Sequence, residues 1–178
     1  MTTIPQLALS VRQPWAWAIM HGGKDIENRS WQAVNHGLNR RGRVAIHAAK
    51  GMTQTEYSDA SEFMARIGVR CPHAAELARG GIIGSVDVIG VCTASPSPWF
   101  FGPRGLVLRD PEPCAFTPAQ GALGYFRWKP ADAGTVPVPA RWMLTRGSAA
   151  EPLDGDGQMD LYGLDGRPTN STTVQGDE

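Results

Sequence analysis

Four residues whose side chains could bind or react lie close together near the start of the chain. Lys24 follows a glycine pair, and Glu27, Arg29 and Trp31 follow at alternating positions. Alternate residues of a strand share one face, so this spacing predicts a carboxylate, a guanidinium and an indole side by side. The guanidinium can bind a phosphate or a base edge, and Lys24 with Glu27 can do acid–base work. A salt bridge that only holds a pocket in shape is the alternative.

The elements that position these residues are indicated by short local signals. The apolar run Leu7–Val11 predicts a strand, and Pro14 suits the first turn of a helix over Trp15–His21. The pair Gly22-Gly23 ends that helix, because glycine accepts the C-terminal cap conformation. Residues 24–31 then predict a second strand. The sequence therefore predicts strand, short helix, turn and strand around Lys24.

The rest of the chain alternates short strands with turn residues. Further strands are predicted at residues 43–48, Gly81–Cys92, 106–108 and 122–128, and helices from Thr53 or Thr55 to about Ile67 and at 74–78. Many short strands with two or three helices are typical of an α+β fold built on a small closed or half-closed β-barrel. We expect residues 1–144 to form this domain.

Several of these segments together resemble the ASCH family, the activating-signal cointegrator homology domains of the PUA-like superfamily. The matching segments are residues 9–15, the Gly23-Lys24 pair with Glu27, Arg29 and Trp31, residues 43–48, residues 84–87 and residues 121–126. The resemblance covers roughly residues 5–130 and implies a PUA-like β-barrel with helices packed on it. Because PUA-like barrels commonly bind RNA, it also implies a nucleic-acid or modified-nucleobase ligand in a cleft between the barrel and the N-terminal Trp helix.

One branch of the family that resembles acetylcytidine amidohydrolases implies an enzyme as the alternative. In that branch a lysine at the position of Lys24, a threonine three residues later and a distant glutamate form the catalytic set. Here the threonine position is Glu27, and no distant glutamate matches. The alternative is a small hydrolase acting on a modified nucleoside or on RNA, with Lys24 and Glu27 as its acid–base pair.

The predicted ligand-binding residues are those that the two strands and the Trp helix bring toward the cleft: Ser10, Gln13, Trp15, Arg29, Trp31, His47 and Asp87. Trp15 and Trp31 can stack on a base, although core packing is the commoner fate of tryptophan. His47 has a structural role as its alternative. Asp87 interrupts an apolar strand, so we expect Arg29, Lys24 or backbone donors beside it.

Two further clusters suggest macromolecular contacts. Arg40, Arg41 and Arg43 lie beside the predicted cleft and can bind a nucleic-acid backbone, or else form a solvated loop. Trp99, Phe100 and Phe101 are consecutive aromatic residues in a loop rich in proline and glycine. They predict either a contact with a partner protein or a plug of the barrel.

Charge is unevenly distributed although the chain has no net charge. Residues 148–178 carry seven acidic residues against Arg167 alone, so the remainder is mildly basic, and residues 145–178 are expected to form an acidic, disordered tail. This balance is far from that of a protein that coats DNA. The three cysteines lack metal-ligand spacing, and no cofactor motif or bilayer-length apolar run occurs, so the sequence predicts a cytoplasmic protein without cofactor or metal.

Overall fold

A six-stranded mixed sheet, curled into a half-barrel, forms the frame of the protein. The structure is a computed structural model that describes residues 3–29 and 39–144. Its strands are β1 (Leu7–Val11), β2 (Ile26–Asn28), β3 (Gly42–Ala48), β4 (Gly81–Cys92), β5 (Gly105–Pro118) and β6 (Tyr125–Arg127), in the order β2-β5-β4-β3-β1-β6. The predicted α+β half-barrel is confirmed. Trp31 and the predicted tail, residues 145–178, lie outside the described residues.

The side chains on the two faces of β1 and β3 have different surroundings. The two strands are parallel, and Leu9 pairs with Ile46 while Ser10 pairs with His47. Leu9 and Ile46 belong to the main buried core, which Ile19 of the first helix completes. Because side chains alternate along a strand, Ser10 and His47 point to the opposite face.

The described part of the chain contains two α-helices, α1 (Trp15–His21) and α2 (Gln54–Arg66). Helix α1 packs on the sheet, and the buried side of α2 belongs to a second buried cluster with Ala18 of α1 and Trp99. Thr53 caps α2 with a reciprocal pair of hydrogen bonds, in which the Glu56 N–H donates to Thr53 Oγ1 and the Thr53 N–H donates to the Glu56 carboxylate. This capping box confirms the predicted start of the helix. Short 3₁₀ helices occupy Ala74–Glu76, Ala133–Thr135 and Arg141–Leu144. No helix in the described part of the chain is long and apolar enough to cross a membrane.

Strand β5 is the main departure from the predicted elements. It spans 14 residues, whereas the sequence predicts a strand only at residues 106–108. The missed part contains Pro111 and Pro113, which usually indicate a loop. Here the pairing of β4 with β5 shifts register at three places, and such irregularities accommodate residues that cannot donate to the ladder. The strands predicted at residues 24–31 and 122–128 are each only three residues long.

Candidate functional site

A small aromatic-walled cleft, the lysine cleft, opens where α1 meets β2. It has a volume of about 170 Å³ and is lined by Trp15, Lys24, Glu27, Asn28 and Phe101. Trp15 comes from the first residue of α1, while Glu27 and Asn28 belong to β2. The glycine turn after α1 leads into β2 and places Lys24 against the helix, where the Lys24 N–H donates to the Ala18 carbonyl at 3.0 Å.

The amine of Lys24 is held inside the protein rather than in solvent. Lys24 is 3 % exposed, and its Nζ lies 3.3 Å from Glu27 Oε2 and donates a hydrogen bond to the Ile26 carbonyl. The same nitrogen lies 5.8 Å from the ring centres of both Trp15 and Trp99. Burial lowers the pKa of Lys24, and the nearby Glu27 carboxylate opposes that shift. The lysine therefore combines a strong ion-pair partner with a pronounced desolvation penalty.

Arg29 extends this ion pair into a charged trio. Its Nη2 lies 3.5 Å from Glu27 Oε1 and donates to the Ser10 carbonyl at 3.1 Å. The Nε of Arg29 is buried and has no hydrogen-bond partner among residues 3–29 and 39–144. Lys24 and Arg29 supply two positive charges against the single carboxylate of Glu27. The trio thus carries one excess positive charge and an unused donor.

The two aromatic residues that line the lysine cleft, Trp15 and Phe101, belong to a cluster of four aromatic rings. Trp15 packs against Phe63, Trp99 and Phe101 with ring-centre distances of 6.0, 6.4 and 6.1 Å. Phe101 is 55 % exposed at the rim. Edge-to-face contacts of this kind fix ring orientation, so the wall offers a preformed surface for a planar ligand.

Asn28 holds the loop that carries half of this wall. Its Nδ2 donates to the Trp99 carbonyl at 2.8 Å, and its Oδ1 accepts from the Phe101 N–H at 2.9 Å. Both rings also pack against Trp15 within the chain, and the contact of Trp99, Phe100 and Phe101 with a partner protein stays a prediction. Phe100 packs against the buried cluster that contains Ile26 and Trp99.

The arrangement suits a flat, polar ligand of limited size. A volume of about 170 Å³ is below the roughly 300–1,000 Å³ of sites for drug-sized molecules, so it admits a single ring system. Glu27 can accept from N–H groups, and the excess positive charge favours carbonyl or phosphate oxygens. In the described part of the chain, no three His, Cys, Asp or Glu side chains are grouped as a metal ion requires.

Comparison with protein families identifies the chain on the same segment that builds the lysine cleft. The sequence model of the ASCH domain matches residues 9–101, which is more than half of the chain. The chain belongs to the ASCH domain family. ASCH domains are generally associated with RNA binding or related activity. A search of curated proteins found no match.

Two of the residues predicted to bind ligand have structural partners in this ASCH domain. Gln13 is buried, its Nε2 donates to the Ala78 carbonyl at 2.8 Å, and its Oε1 accepts from the Trp17 N–H at 2.9 Å. Both ends of the amide are thereby used to anchor the start of α1. The sequence predicts Arg29, Lys24 or backbone donors beside Asp87, whereas its ion-pair partner in the structure is Arg43 at 3.3 Å.

The arginine cluster divides into two parts. Arg43 lies opposite Asp87 in the β3–β4 register and also reaches Glu112 at 3.0 Å, so its charge is neutralised within the sheet. The contact of Arg43 with a nucleic-acid backbone stays a prediction, and these ion pairs are its partners within the sheet. Arg40 and Arg41 are exposed, and both, together with Arg29, exert an electrostatic effect on Tyr125. They therefore lie on the same side of the protein as Arg29.

Ser10 and His47 lie in a second cavity, the serine–histidine cavity, and not in the lysine cleft. It has a volume of about 350 Å³ and is lined by Ser10, His47, Ala49, Lys50, Gln120, Gly121, Ala122 and Leu123. Among residues 3–29 and 39–144, it shares no lining residue with the lysine cleft. The sequence placed both residues beside the Trp helix, but strand alternation turns their side chains to the face of β1 and β3 opposite α1.

The sequence does not predict two lining residues of the lysine cleft, Asn28 and Phe101, or the buried Trp99 whose ring lies 5.8 Å from the Lys24 amine. Asn28 directly follows Glu27 and would have been assigned to the other strand face. The sequence shows Trp99 and Phe101 as part of an aromatic cluster, but nothing in their spacing indicates that their rings pack against Trp15. The sequence indicates only that Trp99 and Phe101 are separated by one residue, Phe100.

Proposed function

We propose that this ASCH domain binds single-stranded RNA by accepting one base, modified or unmodified, in the lysine cleft between the half-barrel and α1. The observation that carries the proposal is the buried ammonium of Lys24, held between Trp15 and Trp99 at the base of an open cleft. Buried groups with displaced pKa values concentrate at functional sites, because binding and catalytic groups need a protonation state matched to their task.

The shape and chemistry of the lysine cleft support a base as the ligand. Trp15 and Phe101 offer aromatic faces, and stacking on such faces contributes about 1–3 kcal/mol per base. Glu27 lines the cleft and offers an acceptor for base edges, and Arg29, its ion-pair partner, offers donors beside it. A base inside a duplex is already stacked and paired, so a cleft of this size selects single-stranded or splayed-out bases.

The proposed path of the RNA backbone follows Arg40 and Arg41. Both side chains are exposed and share the side of Arg29. Charged groups of this kind attract phosphates without reading sequence, so they would position the strand while the cleft accepts the base. The binding domain is proposed to be residues 1–144. The acidic residues 145–178 would then weaken RNA binding by repulsion or by competing for the same arginines.

Binding of short single-stranded RNAs and of modified nucleosides to the purified full chain tests this proposal. Phe101→Ala removes an exposed ring and is expected to weaken binding by about 1–3 kcal/mol, and Lys24→Ala is expected to weaken it further. Val138→Ala serves as the control, because Val138 is 87 % exposed and absent from the lysine cleft. Equal affinity of Phe101→Ala and Val138→Ala for every ligand bound would refute the proposal.

A hydrolase using Lys24 and Glu27 is the second candidate function, and the lowered pKa of Lys24 favours it. Deprotonated Lys24 can take a proton from an attacking water molecule, and Glu27, 3.3 Å away, can relay it. The same ligand panel, analysed by mass spectrometry, separates the two functions. Product that disappears in Lys24→Ala indicates an enzyme, whereas binding without product indicates a binding domain.

A further inference from the structure

The serine–histidine cavity places the hydroxyl of Ser10 within hydrogen-bond distance of the imidazole of His47. We propose that Ser10 and His47 act there as nucleophile and general base toward small carboxylic esters. The cavity, at about 350 Å³, lies at the lower end of the roughly 300–1,000 Å³ typical of small-molecule sites. This activity is independent of RNA binding, since the cavity and the lysine cleft have no lining residue in common in the part of the chain that the structure describes.

The hydrogen bonds of His47 determine which nitrogen acts as base. Its Nε2 lies 3.0 Å from the Ala119 carbonyl oxygen, which can only accept, so Nε2 carries the proton. In the neutral ring Nδ1 then has a free lone pair. Ser10 Oγ lies 3.3 Å from Nδ1 and donates its proton to it. The serine proton is therefore already directed toward the group that must remove it.

The imidazole of His47 is held in place from several sides. Its ring contacts Phe126 edge to face at 5.4 Å, and its residue exposure is 1 %. The backbone of Gly121 lies directly against the ring, because a Cβ at that position would be 2.9 Å from Nδ1. Burial lowers the pKa of His47, and the Lys50 charge adds to this effect. The ring is thus oriented and neutral near pH 7, as a general base must be.

The proposed reaction proceeds through an acyl-enzyme. Ser10 Oγ attacks the ester carbonyl carbon while its proton moves to His47 Nδ1, and the carbonyl electron pair moves to oxygen. The tetrahedral intermediate collapses, the alcohol leaves with the proton from Nδ1, and the acyl group remains on Ser10. Water then attacks the acyl carbon with Nδ1 again as base, which releases the carboxylic acid and restores the Ser10 hydroxyl. Lys50 lines the cavity, and its positive charge favours the negative charge that develops on the carbonyl oxygen.

A fluorophosphonate probe tests the nucleophile directly. We expect the full chain to form a covalent adduct, found by intact mass and mapped to Ser10 by peptide analysis. Ser10→Ala should abolish the adduct, and His47→Gln should slow its formation about 10²–10⁴-fold, the range for loss of a general base. Ser95→Ala is the matched control, because Ser95 does not line the cavity. No adduct at Ser10, or an equal rate in folded His47→Gln, would overturn the proposal.

Hydrolysis of 4-nitrophenyl acetate and RNA affinity, measured on the same preparations, separate this proposal from the proposed function. Lys24→Ala should retain both the Ser10 adduct and ester hydrolysis while it loses RNA affinity. Ser10→Ala should show the opposite pattern, and its small change at a partly exposed strand position keeps the comparison valid even where His47→Gln does not fold. Ester hydrolysis that persists unchanged in Ser10→Ala would also overturn the serine–histidine assignment.

Discussion

The Lys24 ammonium lies 5.8 Å from the centre of the Trp99 ring, although the two residues are far apart in the sequence. Trp99 reaches this position because Asn28, on the strand that follows Lys24, binds its carbonyl. The lysine cleft is consequently assembled from three segments: the start of α1, strand β2 and the aromatic loop. Its geometry depends on how well that loop is held.

We predict that Asn28 contributes to RNA binding by positioning the aromatic wall. Asn28→Ala removes two hydrogen bonds to the backbone of Trp99 and Phe101, at about 1 kcal/mol of folding stability each. If Asn28 acts through Phe101, the losses of affinity in Asn28→Ala and Phe101→Ala will not add in the double variant. Isothermal titration with a short RNA gives the four affinities. Additive losses would show that Asn28 contacts RNA by itself or acts elsewhere.

We predict that the arginine cluster contributes unequally to the salt dependence of RNA binding. Arg40→Ala and Arg41→Ala should each reduce the slope of log affinity against log salt by about 0.7, the value for one phosphate contact on a single strand. Arg43→Ala is the matched control and should leave the slope unchanged, because Asp87 and Glu112 already neutralise that side chain. A reduced slope in Arg43→Ala would show that Arg43 also contacts the nucleic-acid backbone.

Much of the fold was predictable because its signals are local. The glycine pair that ends α1 and the Thr53 capping box specify element ends within a few residues of the chain. The partner of Asp87 was not predictable in the same way. It depends on the β3–β4 register, which places Arg43 opposite Asp87, and no local pattern fixes that register.

Only the part of the candidate site whose residues are close in sequence was predictable. Lys24, Glu27 and Arg29 are close in sequence, and the structure places them in one ion-paired group. Trp99 and Phe101 reach this group through tertiary packing. The sequence predicts Ser10 and His47 as separate ligand-binding residues. Their mutual hydrogen bond follows from the parallel pairing of β1 with β3. Pairings between distant strands set these contacts, and the alternation of residue types along one strand does not reveal them.

We predict that the stability of the protein depends on pH through Lys24. The folded state lowers the pKa of Lys24 by burial, whereas unfolding returns it to 10.5. Between these two values the unfolded chain binds more protons, so stability rises with pH, by at most about 1.4 kcal/mol per pH unit. Urea unfolding of the wild type and of Lys24→Met, from neutral pH to 10.5, should show a growing difference in favour of the wild type. A difference that stays flat or shrinks, with equal denaturant m-values, would contradict the lowered pKa.

The last prediction concerns Gly121, whose backbone lies against the His47 ring. In Gly121→Ala the new methyl group would be 2.9 Å from Nδ1 and in direct collision with Cε1, so the imidazole must move. We expect a loss of about 1–3 kcal/mol of stability, as for other overpacked sites, and a much slower Ser10 adduct with the fluorophosphonate. Gly134→Ala is the control, because a Cβ there meets no atom within 4 Å. RNA affinity should be equal in both variants, since neither position lines the lysine cleft. A folded Gly121→Ala protein with wild-type labelling would show that the position of His47 does not govern the reactivity of Ser10.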